Sequence, residues 1–222
     1  FCTISTASHV PKAMALFESL RTYDHKARLH LLIVDAENVA KAPPQGVKLH
    51  FLEDIKGFEI TTAIIKKYSP NTDQLRFALK PFYMLYLVRQ LNFEKVVFLH
   101  NDIFFYDDID FLLKRLDEQQ VLLSPHWRVS DPTIAPDWFE TNFKDGHFNG
   151  GFVGMNKNGI AAIDWWAKAV AYKCEKNFER GLFDDQKYLD YLPVYFEKTD
   201  VIRHRGCNVA YWNQHENKRT LK

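Results

Sequence analysis

A short apolar run in the middle of the chain ends in three polar residues of types that could do chemistry. Val96–Leu99 is apolar, rich in β-branched and aromatic residues and too short for a helix, which is typical of a strand buried on both faces. His100, Asn101 and Asp102 follow at once, before the chain turns apolar again. Because a buried unpaired carboxylate is costly, Asp102 is expected where the sheet ends. Open α/β sheets bind ligands beyond the carboxyl ends of their strands, so this polar break is the first candidate site.

The elements before this break alternate between strands and helices. Apolar runs predict strands over Phe1–Ser5, Leu29–Val34 and Val47–Leu52. A helix is expected over Phe82–Leu91, starting just after Pro81 and leading into the central strand. This alternation predicts an α/β fold with an open, mostly parallel sheet and helices on both faces.

The second half of the chain contains a long segment without clear periodicity. Pro125–His147 is rich in proline and polar residues and is expected to be a loop that acts as a lid or a binding wall. The run Phe148–Met155 predicts a strand whose glycines allow a close approach, and Ile160–Tyr172 predicts a helix. A late strand is expected over Val194–Phe196.

Length and composition limit the function classes. A chain of 222 residues with 46% hydrophobic residues predicts one folded domain over residues 1–222. The net charge of +1 gives no argument for a nucleic-acid partner. Cys2, Cys174 and Cys207 form no paired spacing, which favours a reducing, cytoplasmic setting, with peripheral membrane attachment left open. No apolar run approaches the roughly 18 residues of a membrane span. The apolar start without Met indicates a catalytic domain cut from a longer chain, with other domains as partners.

Several common chemistries lack their motifs. Phe1–His9 contains no glycine, which argues against a Rossmann dinucleotide site, a Walker P-loop and a sugar-nucleotide pyrophosphorylase. The chain also has no GxSxG and no HExxH. What remains is a site of carboxylate, histidine, asparagine and amide groups, and such ligands suit Mg²⁺ or Mn²⁺ bridging phosphates.

The order of the remaining motifs resembles the GT-A glycosyltransferases, in particular family 8 and its relatives. The resemblance covers roughly Leu75–Asn213, and its motifs are LKP at 79–81, VVFLHNDI at 96–103, FNGGFVGMN at 148–156, DDQ at 184–186 and HRGCNVAYWN at 204–213. Each motif alone is weak, but their common order makes the resemblance fairly specific. It implies a GT-A fold, a nucleotide-sugar donor and a divalent metal on the donor diphosphate.

The metal ligands implied by the resemblance are Asp102, His204 and His100. Asp102 matches the second Asp of the family's DxD motif, and His204 precedes Trp212 by eight positions, as the family's last ligand does. His100 stands where the family has Asp, so it either ligates the metal, binds a ribose hydroxyl, or marks reduced metal dependence or lost activity. Because imidazole is softer than carboxylate, Mn²⁺ is expected rather than Mg²⁺. The structural alternatives are a strand-end cap for Asp102 and a packed surface histidine for His204.

The resemblance also implies donor-binding and catalytic residues. The donor-binding set is Thr3, Ser5, Asp35, Lys80, Asn101, Asn149, Gly150 and Gly151. The catalytic set is Asp185, Gln186 and Asp184, in which a carboxylate deprotonates the acceptor if the reaction inverts, or orients the sugar if it retains. The structural alternatives are a helix cap at Asp185 and Gln186, a tight strand crossing at Asn149 and the glycines, and a lysine that merely precedes a helix. Trp127, Trp138 and Trp212 are candidates for stacking on sugars.

The expected function is therefore transfer of a sugar, of hexosyltransferase type, from a nucleotide-diphosphate donor to a carbohydrate or related acceptor. A UDP-linked donor and a role in polysaccharide biosynthesis are expected. One alternative is an impaired nucleotide-sugar-binding module of the same fold. A weaker alternative is a nucleotidyltransferase, which the missing glycine-rich loop disfavours.

Overall fold

A mixed sheet forms the centre of the computed structural model, which describes residues 1–39 and 41–219. Its seven strands are β1 Cys2–Ser5, β2 Leu29–Ile33, β3 Val47–Phe51, β4 Lys95–Leu99, β5 Val121–Pro125, β6 Phe148–Asn156 and β9 Thr199–Val201. They lie in the order β3-β2-β1-β4-β6-β5-β9. A separate hairpin consists of β7 Lys176–Asn177 and β8 Leu182–Phe183.

The strands run parallel apart from β6. β1 pairs in parallel with β2 and β4, β2 with β3, and β5 with β9, whereas β6 is antiparallel to both β4 and β5. The predicted open, mostly parallel sheet is confirmed. Since β6 runs the other way, its first residues lie at the same edge as the last residues of β1 and β4, which is the edge where such sheets bind ligands.

Helices cover both faces of this sheet, as predicted. The alternating side chains of β4 show the division, because Val97 and Leu99 pack against α1 Val10–Tyr23 and α5 Asp110–Glu118. Val96 and Phe98 face the other way and share a core with α4 Thr72–Arg89 and α7 Ile160–Tyr172. The remaining helices are α2 Leu52–Ile55, α3 Thr61–Tyr68, α6 Pro136–Lys144 and α8 Leu192–Tyr195.

The helix before the central strand begins much earlier than predicted. α4 starts at Thr72 because the Asn71 side chain caps it, accepting hydrogen bonds from the backbone N–H groups of Asp73 and Gln74 at 3.0 and 3.1 Å. Pro81 therefore lies inside the helix. Lys80 consequently projects from the middle of α4, and the expectation that it merely precedes a helix is wrong.

Two further elements differ from the prediction. The segment Pro125–His147 contains α6, which begins at Pro136, a residue suited to the first turn of a helix. The expected strand at Val194–Phe196 is wrong, since α8 occupies Leu192–Tyr195 with Pro193 in its first turn. A proline at that position presets a helical φ and lacks the N–H that a strand would need.

Candidate active site

The predicted site residues converge on the edge formed by the ends of β1 and β4 and the start of β6. Asn101 follows β4, and its Nδ2 donates a hydrogen bond of 2.9 Å to Oγ of Ser5, the last residue of β1. The Ser5 hydroxyl in turn donates to the backbone carbonyl of Thr6 at 3.0 Å. The two central strands are thus joined at the point where the polar break was expected to end the sheet.

A buried ion pair between Lys80 and Asp185 lies at this edge. Lys80 Nζ is 3.0 Å from Asp185 Oδ2 and 3.1 Å from Oδ1, and the two side chains are 3% and 1% exposed. The ammonium also donates to the carbonyl of Gly150 at 3.0 Å and lies 4.8 and 5.4 Å from the ring centroids of Phe77 and Phe98. Burial raises the pKa of Asp185 to about 6, although the neighbouring Lys80 opposes that rise.

Gln186 holds the same glycine from its other side. Its Oε1 accepts a hydrogen bond of 3.0 Å from the N–H of Gly150, and its Nε2 donates to the carbonyl of Asp145 at 2.8 Å. A Cβ on Gly150 would lie 3.1 Å from Asp185 Oδ2 and 3.2 Å from Lys80 Nζ. The absence of a Cβ therefore lets the ion pair pack closely over this peptide, whose N–H and C=O are both held by side chains.

His100 packs against the next part of β6. Its backbone N–H donates to the Gly151 carbonyl at 2.8 Å, and a Cβ on Gly151 would lie 3.0 Å from His100 Nδ1. Burial, reinforced by the positive charges of Lys80 and Arg76, holds the pKa of His100 well below its usual value. Nε2 is buried, and no hydrogen-bond partner for it exists among the residues described. His100 thus presents a neutral imidazole with one unused nitrogen.

The C-terminal segment is tied to the site by Asn208, which sequence reasoning missed. Its Oδ1 accepts a hydrogen bond of 2.8 Å from Asn149 Nδ2, and its Nδ2 donates to the Pro125 carbonyl at 2.8 Å. Asn208 adopts a φ of +60°, a conformation that asparagine tolerates better than most residues. The buried Asn213 fixes it by donating to its carbonyl at 2.6 Å. The sequence feature that could have pointed to Asn208 is the pair of asparagines, Asn208 and Asn213, within the polar-aromatic segment 201–213.

The three predicted metal ligands are not gathered. Asp102 and His204 are exposed, and no hydrogen bond or ion pair joins either to the other predicted site residues within 1–39 and 41–219. The His204 ring lies 5.4 Å from that of Phe111, and its Nδ1 is 3.9 Å from Cys207 Sγ. The described part of the chain holds no cluster of three His, Cys, Asp or Glu side chains able to bind a metal. One carboxylate and two separated imidazoles therefore do not form a ready-made metal centre.

Three other predicted residues lie apart from the ion pair. Thr3 is fully buried in the middle of β1, and its Oγ1 has no hydrogen-bond partner in the described residues. Asp35 accepts a hydrogen bond of 2.7 Å from the backbone of Ala7, so it holds the turn that follows β1. Asp184 adopts a φ of +47°, and its carboxylate pairs with Lys176 at 3.5 Å and not with Lys80.

Aromatic side chains from two segments meet beside this edge. The Trp138 ring lies 5.7 Å from that of Tyr211, which lies 5.1 Å from Trp212. Trp212 donates from Nε1 to the His126 carbonyl at 3.1 Å. Trp127 instead lies under the Arg205 guanidinium, whose centre is 3.8 Å from the ring centroid. Of the predicted stacking residues, Trp138 and Trp212 thus share one aromatic cluster with the exposed Tyr211.

The segment 125–147 is firmly attached to the site. Arg128 pairs with Asp145 at 2.7 Å and donates to the Gly146 carbonyl at 3.0 Å. Asp145 also accepts the hydrogen bond from Gln186 described above. The Arg128 bonds brace the base of the segment from within, and the Gln186 bond links that base to the site beside Gly150. Elsewhere, none of the helices in the described residues has the length and apolarity to cross a membrane.

Comparisons with known proteins identify the fold. No family model matches the chain. Two uncharacterised proteins of Bacillus subtilis, YfnF and YfnD, are each 25% identical over 96% of the chain, which covers 71% and 68% of their lengths.

Solved structures of glycosyltransferases share the architecture. The galactosyltransferase LgtC, in complex with donor and acceptor sugar analogues, aligns with a TM-score of 0.54 and 13% identity over 92% of this chain and 73% of LgtC. Mouse xyloside xylosyltransferase 1 aligns with a TM-score of 0.52 and 14% identity over 97% of this chain and 89% of its own. The bifunctional glycosyltransferase WbbM gives 0.52 and 13% over 90% of this chain and 38% of WbbM. Together with the strand order, these likenesses show that the chain has the GT-A fold.

Proposed function

We propose that this chain is a glycosyltransferase that moves a hexose from a nucleotide-diphosphate donor, UDP-linked, to a carbohydrate or related acceptor in polysaccharide biosynthesis. The observation that carries the proposal is the clasp on Gly150. Lys80, which is paired with Asp185, holds the Gly150 carbonyl, and Gln186 holds the Gly150 N–H, at the sheet edge where this fold has its ligand crevice.

The donor is proposed to lie across the ends of β1 and β4. Ser5, Asp35 and Asn101 lie on the nucleoside side, where the turn after β1 is held by the Asp35 carboxylate. Asn149–Gly151 lies on the sugar side, where a backbone without Cβ atoms allows a close approach. Thr3 is too deeply buried for direct contact and is proposed only as support beneath Ser5.

We propose that Asp185 orients the sugar indirectly, through Lys80 and the Gly150 backbone, and does not act as a general base. Its carboxylate is paired with Lys80 and lies 1% exposed, so it has no free access to an acceptor hydroxyl. Asp184 is the remaining carboxylate of the motif, but it turns to Lys176. An orienting Asp185 fits a retaining reaction better than an inverting one, in which a carboxylate must take the acceptor proton.

Charge that develops on the departing diphosphate needs positive groups nearby. Lys80 is already balanced by Asp185, so Arg203 and Arg205 are the proposed cations, since both are exposed on the segment that Asn208 ties to Asn149. Arg205 is held by its stacking on Trp127 and lies 3.7 Å from Glu216.

A divalent metal remains part of the proposal, with Mn²⁺ preferred over Mg²⁺. Asp102 would supply the carboxylate and His204 and His100 the imidazoles, a mixed set that suits a transition ion. Bound there, the ion would neutralise diphosphate charge. Because the described residues do not gather these ligands, none of the steps above depends on it.

The second candidate is a binding module that holds a nucleotide sugar without turning it over. His100 in place of a carboxylate favours this alternative, and so does the lack of a three-ligand metal cluster among the described residues. A binding module would bind the donor without transferring or hydrolysing it.

The test measures donor binding, hydrolysis and transfer over a panel of UDP-, GDP- and dTDP-sugars with Mn²⁺, with Mg²⁺ and with chelator. We expect turnover of a UDP-sugar that falls at least 100-fold in Asp185→Asn. Asp117→Asn, an exposed carboxylate on α5 that pairs with Lys95, is the matched control and should keep wild-type turnover. Binding without any turnover would favour the second candidate, and no binding of any nucleotide sugar would contradict both.

A further inference from the structure

A second groove lies on the face of the sheet that packs against α4, along the edge strand β3. It has a volume of about 560 Å³ and is lined by residues of β2, β3 and α2, by the end of α4 and by the turn after it. In the sheet order, β3 is four positions away from β6, the strand that carries Gly150. None of the predicted site residues lines it.

Four basic residues line this groove in a regular pattern. His30 pairs in register with Lys48, and Leu32 with His50. Because alternate residues of a strand face the same side, His30, Lys48 and His50 share the face that packs against α4, and Arg28 precedes His30 by two positions. All four residues line the groove.

The two histidines form the floor. His30 Nδ1 lies 3.0 Å from His50 Nε2, and His50 is only 4% exposed. The His30 ring lies edge-on to Phe93 at 4.8 Å, and the His50 ring edge-on to Tyr86 at 6.1 Å. Burial lowers the pKa of His30 to about 4 and also lowers that of His50, so the pair is neutral near pH 7.

The two cations at the rim form no ion pair with the residues that the structure describes. Neither the Arg28 guanidinium nor the Lys48 ammonium donates a hydrogen bond or forms an ion pair with any residue described. Asp54 is an acidic residue of the lining, and its Oδ2 already accepts a hydrogen bond of 2.7 Å from the backbone of Phe51. Burial is the main cause of the lowered pKa of His30, and both cations add to it.

We infer that this groove is a second ligand site, for a small molecule that carries a phosphate group beside a flat apolar ring. Arg28 and Lys48 would hold the phosphate, the histidine pair would donate a hydrogen bond from the floor, and Tyr86 and Phe93 would face the ring. The volume lies within the range of about 300 to 1,000 Å³ found for small-molecule sites. The site is independent of the proposed glycosyltransferase reaction, because it shares no residue with the Gly150 clasp.

Phosphate binding there should be coupled to proton uptake by the histidine pair. An anion beside a neutral imidazole favours its protonated form. The charged groups that influence the pair are the Phe1 amino group, Arg28, Lys48 and Asp54. The titratable side chains of Cys2, Tyr83 and Tyr86 also lie next to it. Binding should therefore tighten as the pH is lowered from 8 to 6.

The experiment titrates the chain with phenyl phosphate and with inorganic phosphate by isothermal calorimetry, in buffers of different ionisation enthalpy. We expect one phenyl phosphate per chain, weaker binding of inorganic phosphate, and proton uptake. Arg28→Ala and Lys48→Ala should each weaken phenyl phosphate binding at least tenfold. Lys114→Ala removes an exposed lysine on α5 and is the matched control. Asp185→Asn should bind the probe like wild type, which separates this site from the proposed reaction.

Several outcomes overturn the inference. They are the absence of saturable binding, equal weakening by Lys114→Ala, and equal affinity for the two probes. Vesicles with anionic phospholipid headgroups form a further arm, and binding to vesicles but not to phenyl phosphate would assign the groove to a membrane surface. Thermal melting of each variant confirms folding, and Lys48→Gln replaces Lys48→Ala if the latter melts early.

Discussion

Asn149 Nδ2 donates a 2.8 Å hydrogen bond to Asn208 Oδ1, and this bond joins the start of β6 to the C-terminal segment. The same Asn149 side chain accepts from the N–H of Gly151 at 2.8 Å through its Oδ1. Asn208 therefore fixes the orientation of an amide that touches the glycine backbone of the site. Asn208 does not contact Gly150, but through Asn149 it positions the neighbouring Gly151 backbone.

Asn208→Gly tests this relationship without backbone strain, because glycine adopts a φ of +60° freely. The variant loses two side-chain hydrogen bonds, so we expect the free energy of unfolding to fall by about 1–3 kcal/mol. We also expect donor affinity to weaken roughly tenfold, which corresponds to about 1.4 kcal/mol of binding free energy. Asn92→Gly is the control, since Asn92 has a φ of +56° and lies outside the site. Donor binding by calorimetry and urea unfolding are the measurements. If both variants bound donor equally well, the positioning role would be wrong.

The Lys80 and Asp185 pair makes a prediction about single and double variants. Lys80→Met leaves a buried carboxylate without its partner and should cost about 3–5 kcal/mol. Lys80→Met/Asp185→Leu replaces the pair with apolar groups and should recover most of that stability without recovering turnover. Urea unfolding and donor turnover check this. A single variant as stable as wild type would show that the pair is not buried in solution.

The pH dependence of the same variant follows from the raised pKa. Asp185 has a pKa of about 6 when folded against 3.8 as its ordinary value, so the native state holds the proton more tightly. The contribution of this group to stability is therefore most favourable below pH 3.8 and falls as the pH rises to about 6. Without Lys80 this loss of stability must be larger. The difference in the free energy of unfolding between wild type and Lys80→Met should therefore widen from pH 4 to pH 7. A gap that narrowed would contradict the assignment.

The His30 and His50 pair predicts the opposite pH dependence, in which stability falls as the pH is lowered. Because the folded pKa of His30 is lowered to about 4 from 6.5, the unfolded chain takes up the proton first. The contribution of the pair is present above pH 6.5 and is lost as the pH falls towards 4. Urea midpoints measured over this window should fall less steeply in His30→Gln than in wild type. His215→Gln, an exposed histidine near the C-terminus, should leave the slope unchanged.

Metal dependence distinguishes the two histidines of the proposed metal set. We expect Mn²⁺ to support at least tenfold faster turnover than Mg²⁺, because imidazole favours transition ions. His204→Ala should remove most of this advantage, whereas His100→Ala should remove less of it, because the His100 imidazole packs against β6. Turnover is measured against metal identity at pH 7. The roles are reversed if His100→Ala loses the Mn²⁺ response and His204→Ala keeps it.

The sequence predicted the sheet edge well because local patterns determine it. The apolar run 96–99 followed by polar residues identified the end of β4, and the glycines at 150 and 151 identified a close approach. What it could not show is contact between distant segments. Lys80 and Asp185 are 105 residues apart, and each has an ordinary local explanation as a residue next to a helix.

The errors in element assignment have local causes. In the sequence, Pro81 indicates the start of a helix, whereas the Asn71 cap places that start at Thr72. Short runs such as Val194–Phe196 fit a strand or a helix equally well, and Pro193 decides the matter.

The antiparallel course of β6 has a consequence for how chains of this fold could diversify. β5 ends at Pro125 and β6 begins at Phe148, and both of these residues lie at the edge of the candidate site and pair with each other. The segment between them leaves and re-enters the sheet at one place, so its length and composition can change without shifting any strand. Grafting a different segment between these two positions should exchange acceptor preference while the donor half of the molecule stays intact.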